Sequence, residues 1–574
     1  MDNLAIARVL AEIGDLLEIK NENPFKIRAY RTASETVAHH PEGLAAMSPA
    51  DRLALPGVGK DLAARIAELI DTGTAAYHQE LLQEFPPTIL DLLHLPGVGP
   101  KTVALLYHQL GVRTLDDLES AAREGRLRAL KGMGAKKEAL ILRSLEDRTQ
   151  VAGRRLSAEA HDTAAALVGW LREHAEGAAV APVGSLRRGC ETCGDIDILA
   201  AGAPRSLMDA FTSYRLVERV IAHGETKSSV RVWGGFQADL RLVPASSTGA
   251  ALQYFTGSKA HNIALRDRAI SRGLKLNEYG LFRIDTGDLV AGETEEGIYE
   301  ALGLPFIPPE LRENRGELAA AEAGALPALI QLQDLRGDLH MHTTASDGRA
   351  DAWTMARSAR DAGLEYVAIT DHSRALAMAN GLDEHRALEH ARHVRSLNGR
   401  EHLDGMTLLA GIECDILPDG RLDLADDCLA GLDFVIASVH STLQQDEAQM
   451  TDRLLRAIAC PWVDAIAHPT GRLILRREPS RANMERVFEA AAAHGVAIEI
   501  NSQTDRLDVD DILARRARDR GVALLVDSDA HSPAALGNIR WGITTARRGW
   551  LQAGDVLNTR PLEAFRASLR RNRH

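Results

Sequence analysis

The chain has 574 residues, 45% of them hydrophobic and 26% charged, with 67 lysines and arginines against 80 aspartates and glutamates for a formal charge of −13. That length exceeds one core and predicts about four packing units, and the composition excludes a disordered or fibrous protein. The acidic balance excludes a uniformly basic nucleic-acid coat, so any phosphate contact has to be local. No run reaches the roughly 18 apolar residues of a membrane helix, and Met1 to Lys20 is helical with acids rather than basic-then-apolar. The expectation is a cytoplasmic protein without a membrane partner. Five cysteines make no disulfide framework, and Cys190 with Cys193 is half a zinc site lacking its second pair.

From Leu4 to about Arg148 the apolar residues recur at helical period, broken by Gly and Pro. Inside lies a repeat: Leu55-Pro56-Gly57-Val58-Gly59-Lys60 returns 40 residues later as Leu95-Pro96-Gly97-Val98-Gly99-Pro100-Lys101, and more loosely at Lys131-Gly132-Met133-Gly134-Ala135-Lys136-Lys137. A Gly-x-Gly turn between helices frees backbone N–H groups for a phosphate, and the next helix adds its dipole. Half of the ten lysines fall in these three segments. The segments resemble helix-hairpin-helix motifs, which hold the DNA backbone without reading bases. Gly57, Gly59, Lys60, Gly97, Gly99 and Lys101 are the expected DNA contacts.

Between about 180 and 245 the period becomes 2, and Asp195-Ile196-Asp197-Ile198-Leu199 and Ala238-Asp239-Leu240-Arg241-Leu242-Val243 read as strands. Asp195 and Asp197 project from one face; Asp239 adds a third carboxylate from a second strand. Their mutual repulsion is relieved by hard divalent cations, and two Mg²⁺ or Mn²⁺ ions there suit in-line phosphoryl transfer from a nucleoside triphosphate. Gly184-Ser185-Leu186-Arg187-Arg188-Gly189 followed by Gly194-Asp195-Ile196-Asp197, with Tyr254-Phe255-Thr256-Gly257-Ser258, Asn262 and Arg266 downstream, resembles the family X DNA polymerases of the polymerase beta kind. The resemblance covers about residues 1 to 315. It implies that Asp195, Asp197 and Asp239 are catalytic metal ligands, with Asp239 beside the primer hydroxyl. Gly184, Ser185, Arg188, Gly194 and Arg155 would meet the triphosphate, Tyr254, Phe255 and Gly257 the sugar, and Asn262 and Arg266 the base pair. Gln237 stands where eukaryotic relatives carry an arginine. Arg65 stands where they carry the lysine that forms a Schiff base with deoxyribose phosphate; a guanidinium cannot do so, leaving Lys26 and Lys60 as substitutes.

Residues 316 to 334, rich in Ala, Glu and Leu, are expected to be a linker. Beyond it, short apolar strands end in His340, His372, Glu413, His440, His468, Asn501 and Asp529 at gaps of 27 to 41 residues. Each gap fits a strand and a return helix, so successive βα units should close into a barrel with these residues on one face. With His342, Asp347 and His531 they offer mixed imidazole and carboxylate donors, suited to Mn²⁺, Zn²⁺ or Fe²⁺. This pattern resembles the polymerase-and-histidinol-phosphatase (PHP) domain, a distorted (β/α) barrel that hydrolyses phosphoesters. All nine of that family's ligand positions are filled: His340, His342, Asp347, His372, Glu413, His440, His468, Asp529 and His531, enough for up to three Mn²⁺ or Zn²⁺ ions. Arg374, Arg421 and Arg472 are loop candidates for substrate phosphate.

The two resemblances imply a multidomain α+β and α/β protein: a helical DNA-binding domain at 1–85, a fingers-type domain at 86–150, a nucleotidyltransferase palm at 151–247, a thumb at 248–315, the linker at 316–334 and the PHP domain at 335–574. Together they imply a bacterial repair polymerase that fills short gaps in nicked or gapped duplex DNA with dNTPs, acts as a monomer, and carries a 3'–5' exonuclease in its barrel. The alternative makes the barrel the principal activity, as an abasic-site endonuclease or 3'-phosphatase, with the polymerase half holding DNA.

Overall fold

In a computed structural model of the chain, the described residues are 3–572 except 39–43, 45–46, 56, 73, 87, 95–97, 131, 135–136, 140, 143–144, 146–153 and 234. The chain forms two units, Met1–Ala152 and Gly153–His574. No helix among the described residues is long and apolar enough to cross a membrane. All five cysteines are free.

The first unit is helical. Asn3–Ile19 and Pro24–Ala38 pack as an antiparallel pair, and Lys60–Thr72, Ala76–Glu84, Pro100–Leu110 and Leu115–Arg123 follow. The three glycine turns share one construction, in which the residue between the glycines is an apolar anchor. Val58, Val98 and Met133 are all buried, whereas Gly57, Gly59, Gly99, Gly132 and Gly134 stay at the surface. Helices begin at Lys60 and Pro100, directly after Gly59 and Gly99.

The second unit begins with a five-stranded sheet in the order Ala179–Pro182, Asp195–Ala201, Phe236–Val243, Lys227–Val232, Val217–His223. All its pairings are antiparallel except that of Asp195–Ala201 with Phe236–Val243, which is parallel. Helix Ser157–His174 covers the sheet through Ala160, Ala164, Leu167, Val168 and Leu171. A helical layer of Thr248–Thr256 and Lys259–Ser271 and a three-stranded sheet follow.

The segment 316–334 is not a linker. It contains helix Glu317–Glu322, with Ala321 in the core of the preceding layer. Glu317 is fully buried because it accepts from the Asn314 and Arg315 backbone N–H groups and pairs with His261 Nδ1 at 2.7 Å. Ile330 N–H then donates to Leu551 O, fixing the segment to the last domain.

That domain contains seven parallel strands in sequence order, from Gly337–Asp338 to Leu524–Asp527. Alternation divides each strand. Val367, Ile369, Leu408, Ala410, Val435, Ala437, Ile498 and Val526 face the surrounding helices, while Tyr366, Ala368, Leu409, Phe434, Ile436, Ala497 and Leu525 form the inner core, plugged by Phe565 from helix Leu562–Ser568. First and last strands are joined mainly by side chains. Asp338 Oδ1 accepts from Ser528 N–H, Asp527 Oδ1 accepts from Leu339 N–H, and the buried Asn558 amide donates to Gly337 O (2.9 Å) and Val526 O (2.7 Å) while accepting from Val526 N–H (3.1 Å). Asn558→Ala strands these backbone groups and is expected to destabilise the barrel by about 3 kcal/mol, measured as a lower urea midpoint by circular dichroism.

Two candidate metal centres

The parallel register Asp195↔Gln237, Asp197↔Asp239 sets the three carboxylates of the first site side by side. Asp195 is exposed, Asp197 half-buried and Asp239 buried. Burial, then the charges of Asp195 and Asp239, push Asp197 up to about 6. Asp239 goes the other way: burial raises its pKa, but hydrogen bonds from Lys227, Ser229 and Gln237 outweigh burial and hold it below the ordinary range. Lys227 Nζ lies 2.8 Å from Asp239 Oδ2 and Gln237 Nε2 3.1 Å from Oδ1. A cation therefore does attend this carboxylate, from the neighbouring strand Lys227–Val232, despite the glutamine at the expected arginine position. Gly184 has φ +67°, and a Cβ there would lie 2.5 Å from Asp197 Oδ2, so only glycine lets this turn meet the carboxylate.

The other residues expected to meet a nucleotide lie around this turn and on the helices after the sheet. Gly184–Arg187 is one helical turn, Ser185 O accepts from Cys190 N–H, and Gly194 directly precedes the strand Asp195–Ala201. Arg188 donates to Thr256 O (2.6 Å) and to Glu313 Oε1 (3.0 Å). Tyr254 and Phe255 end helix Thr248–Thr256 with their rings edge to face, and Gly257 follows. Asn262 is held by Gln253 Nε2 and donates to Tyr254 O, with Arg266 one turn on. Arg155 sits instead over the Phe236 ring, 5.1 Å away.

In the first unit, Gly57, Gly59, Lys60, Gly99 and Lys101 are exposed at the turns; Gly97 lies outside the described residues. Arg65 stacks on Tyr77, 4.3 Å from its centre, and Lys26 Nζ bonds the Tyr77 hydroxyl at 2.7 Å. That bond holds the Lys26 ammonium above its ordinary pKa, the wrong direction for a nucleophilic amine.

The second site lies at the C-terminal end of the barrel strands. Glu413 is its hub: His340, His342, His372, His440 and His468 have ring nitrogens 3.4, 3.6, 2.7, 3.3 and 3.0 Å from its carboxylate. Asp347 reaches His372 and His531, both at 3.5 Å, and Asp529 reaches His342 at 3.2 Å. Three groups have donor atoms close enough to share an ion: His342, Asp347, His372 and His531; His340, His342 and Asp529; and His372, Glu413 and His440. His468 joins them through Glu413.

These residues fit divalent metals on a test of their own. His372 Nδ1 and Glu413 Oε2 face each other at 2.7 Å, while His340 Nε2, both nitrogens of His342 and His468 Nδ1 are buried without a hydrogen-bond partner, a costly arrangement unless cations complete it. Protons cannot satisfy the set evenly. Burial opposes every imidazolium, yet Glu413 and Asp347 push His372 up to about 10 and Glu413 and Asp415 push His440 to about 9. Burial and the neighbouring His372 and His531 hold His342 down at about 4.

Supporting groups are absent from the nine-residue pattern. Glu499 is buried, its Oε1 2.6 Å from His340 Nδ1 and its Oε2 accepting from His468 N–H, which leaves His340 Nε2 for the centre. Its signal was present: it shares the inner-face parity of Asn501, whose amide holds Asp529. Each of the loop arginines expected to meet substrate already has a counter-ion. Arg374 pairs with Glu384 and Asp423, Arg421 with Asp419, and Arg472 is buried against Glu191. Arg506, on the loop after strand Ala497–Asn501, is the cation whose charge adds to burial in lowering His468 to about 4. Glu499→Gln is expected to weaken divalent-ion binding by about tenfold or more, measured by calorimetric titration with Mn²⁺.

Family models match the chain in four places: a helix-hairpin-helix domain at residues 1–75, a SAM-like helix-hairpin-helix tandem at 89–147, the DNA polymerase beta thumb at 251–313 and the PHP domain at 338–503. The DNA polymerase/3'-5' exonuclease PolX of Bacillus subtilis is 37% identical over 570 residues, 99% of each chain. DNA polymerase lambda of Rattus norvegicus is 26% identical over 292 residues, 45% of this chain and 48% of its own length. A probable phosphatase of Caldanaerobacter subterraneus subsp. tengcongensis is 35% identical over 208 residues, 34% of this chain and 75% of its own. Identity spread over the whole length, with the polymerase and barrel sites on one chain, identifies this protein as a member of the family X DNA polymerases that carry a C-terminal PHP domain.

Proposed function

We propose that the chain fills short gaps in duplex DNA by template-directed nucleotidyl transfer and trims 3' ends with the barrel. The observation that carries the polymerase reading is the parallel register that sets Asp197 beside Asp239, with the Gly184 turn against them. Asp195, Asp197 and Asp239 hold two Mg²⁺ or Mn²⁺ ions, and Asp239 receives the proton of the primer 3'-hydroxyl. Lys227 and Gln237 fix the orientation of its two oxygens and keep the carboxylate ionised. Gly184, Ser185, Arg188 and Gly194 receive the triphosphate, Tyr254, Phe255 and Gly257 the sugar, and Asn262 and Arg266 the nascent base pair. Arg155, stacked on Phe236, is a further candidate for the triphosphate. The exposed glycine turns and Lys60 and Lys101 hold the DNA backbone.

In the barrel, the nine residues around Glu413 hold up to three Mn²⁺ or Zn²⁺ ions, and Glu499 orients His340. The chemistry that bound divalent cations supply at both sites is activation of the attacking oxygen and neutralisation of charge on the phosphate. The phosphatase relatives support phosphoester hydrolysis as the barrel's reaction class, and a free 3'-phosphate is a second substrate consistent with them. One chain carries both centres, so a monomer suffices for both activities, and the DNA substrate puts it in the cytoplasm.

Asp239→Ala is expected to abolish primer extension on a gapped duplex while leaving 3'–5' digestion intact; extension at the wild-type rate overturns the polymerase assignment. His342→Ala and Asp529→Ala are expected to do the reverse, losing Mn²⁺-dependent digestion and keeping extension. Digestion that persists in both moves the nuclease out of the barrel.

A further inference from the structure

The loop after Arg188 is pressed against the barrel domain. Gly189 has φ +67°, and a Cβ on it would lie 2.3 Å from Thr544 Cγ2, while Glu191 Oε2 accepts from Arg472 Nη2 at 2.6 Å. Between them enters Arg548, the last residue of helix Ile539–Arg548, with a side chain only 9% exposed. Its Nη1 donates to Arg188 O at 2.8 Å and to Glu313 Oε1 at 3.1 Å, and its Nη2 lies 2.9 Å from Asp511 Oδ2. Glu313 Oε1 is the oxygen that also accepts from Arg188 Nε. Asp511 has a second guanidinium, that of Arg315, at 2.8 Å. Two carboxylates are thus enclosed by Arg188, Arg315 and Arg548.

We infer that Arg548 of the barrel domain is a positioning residue for the polymerase reaction: it neutralises Glu313, so that Arg188 is available to an incoming triphosphate. The inference rests on the reading of Arg188 as a triphosphate contact. A half-buried carboxylate with one cationic partner holds it strongly, because release leaves an uncompensated charge. With Arg548 in place, Glu313 keeps a counter-ion when Arg188 turns to another anion. Among the described residues Arg188 Nη2 has the Cys190 sulfur, 3.8 Å away, as its one neighbouring acceptor, so it has a donor to offer phosphate while Nη1 stays on Thr256 O. The counter-ion comes from the domain that bears the nuclease, so full nucleotide affinity requires the two domains to be docked.

Steady-state gap filling by the full chain tests this. Arg548→Met is expected to raise KM for dNTP about tenfold with kcat changed far less, and Arg548→Lys to restore KM to near wild type. Exonuclease on single-stranded DNA stays unchanged in both, which reports an intact fold. In a Glu313→Gln background there is no carboxylate to neutralise, and adding Arg548→Met should leave KM unmoved. The same rise in both backgrounds, or no rise in either, overturns the role of Arg548. Arg188→Met is run alongside: if it leaves KM unchanged, the nucleotide-site reading itself fails, whereas a rise in Arg188→Met without one in Arg548→Met rejects only the positioning role.

Discussion

Carboxylates crowded together away from water must be compensated, and the second unit is organised around that constraint. At Asp195, Asp197 and Asp239 the cation in contact is Lys227, which reaches one carboxylate, and with Arg241 it still leaves Asp197 pushed up by burial and by its two neighbours. At Glu413 the compensation is imidazole, five rings around one carboxylate, with enough nitrogens left unpaired that metal is the natural completion. At Glu313 and Asp511 it is guanidinium, permanently charged and able to bind two oxygens at once. Each solution suits its use: exchangeable cations where chemistry occurs, fixed ones where domains meet.

Strand alternation delivers these groups. In three of the barrel strands the inner face is apolar at the N-terminal end and ionic at the other with no change of parity: Leu409 leads to Glu413, Ala497 to Glu499 and Asn501, and Leu525 to Asp527 and Asp529, whereas Leu339 and Ala467 of the inner core stand directly beside His340 and His468. One register therefore specifies core and site together, and a slip of one residue would turn both outward. The same economy serves the first site, where the parallel pairing that joins two buried strands also aligns Asp197 with Asp239.

What could be read in the residues follows from this. Asp195, Asp197 and Asp239 stand out because charged side chains interrupt otherwise apolar strands, and most of the nine barrel residues because they follow short apolar strands. Lys227 is not, since a lysine on a strand looks like any solvated cation until the partner strand is known. Arg374, Arg421 and Arg472 illustrate the converse: position on a loop near the site says nothing about which acid already holds a guanidinium. Segment 316–334 misleads by composition, because the pairing of Glu317 with His261, 56 residues away, turns an alanine-rich stretch into core. The glycine turns are legible in their exposed half, while the burial of Val58, Val98 and Met133 depends on helices elsewhere in the unit.

The plug of the barrel comes last in the chain. Tyr366 and Phe434 pack against Phe565, and the seam between first and last strands waits for Asn558. During synthesis the polymerase domain can fold, and its strands can pair, while the floor of the nuclease is still being translated. Chain order therefore lets the synthetic centre form ahead of the hydrolytic one, with Arg548 emerging between the polymerase domain and the plug.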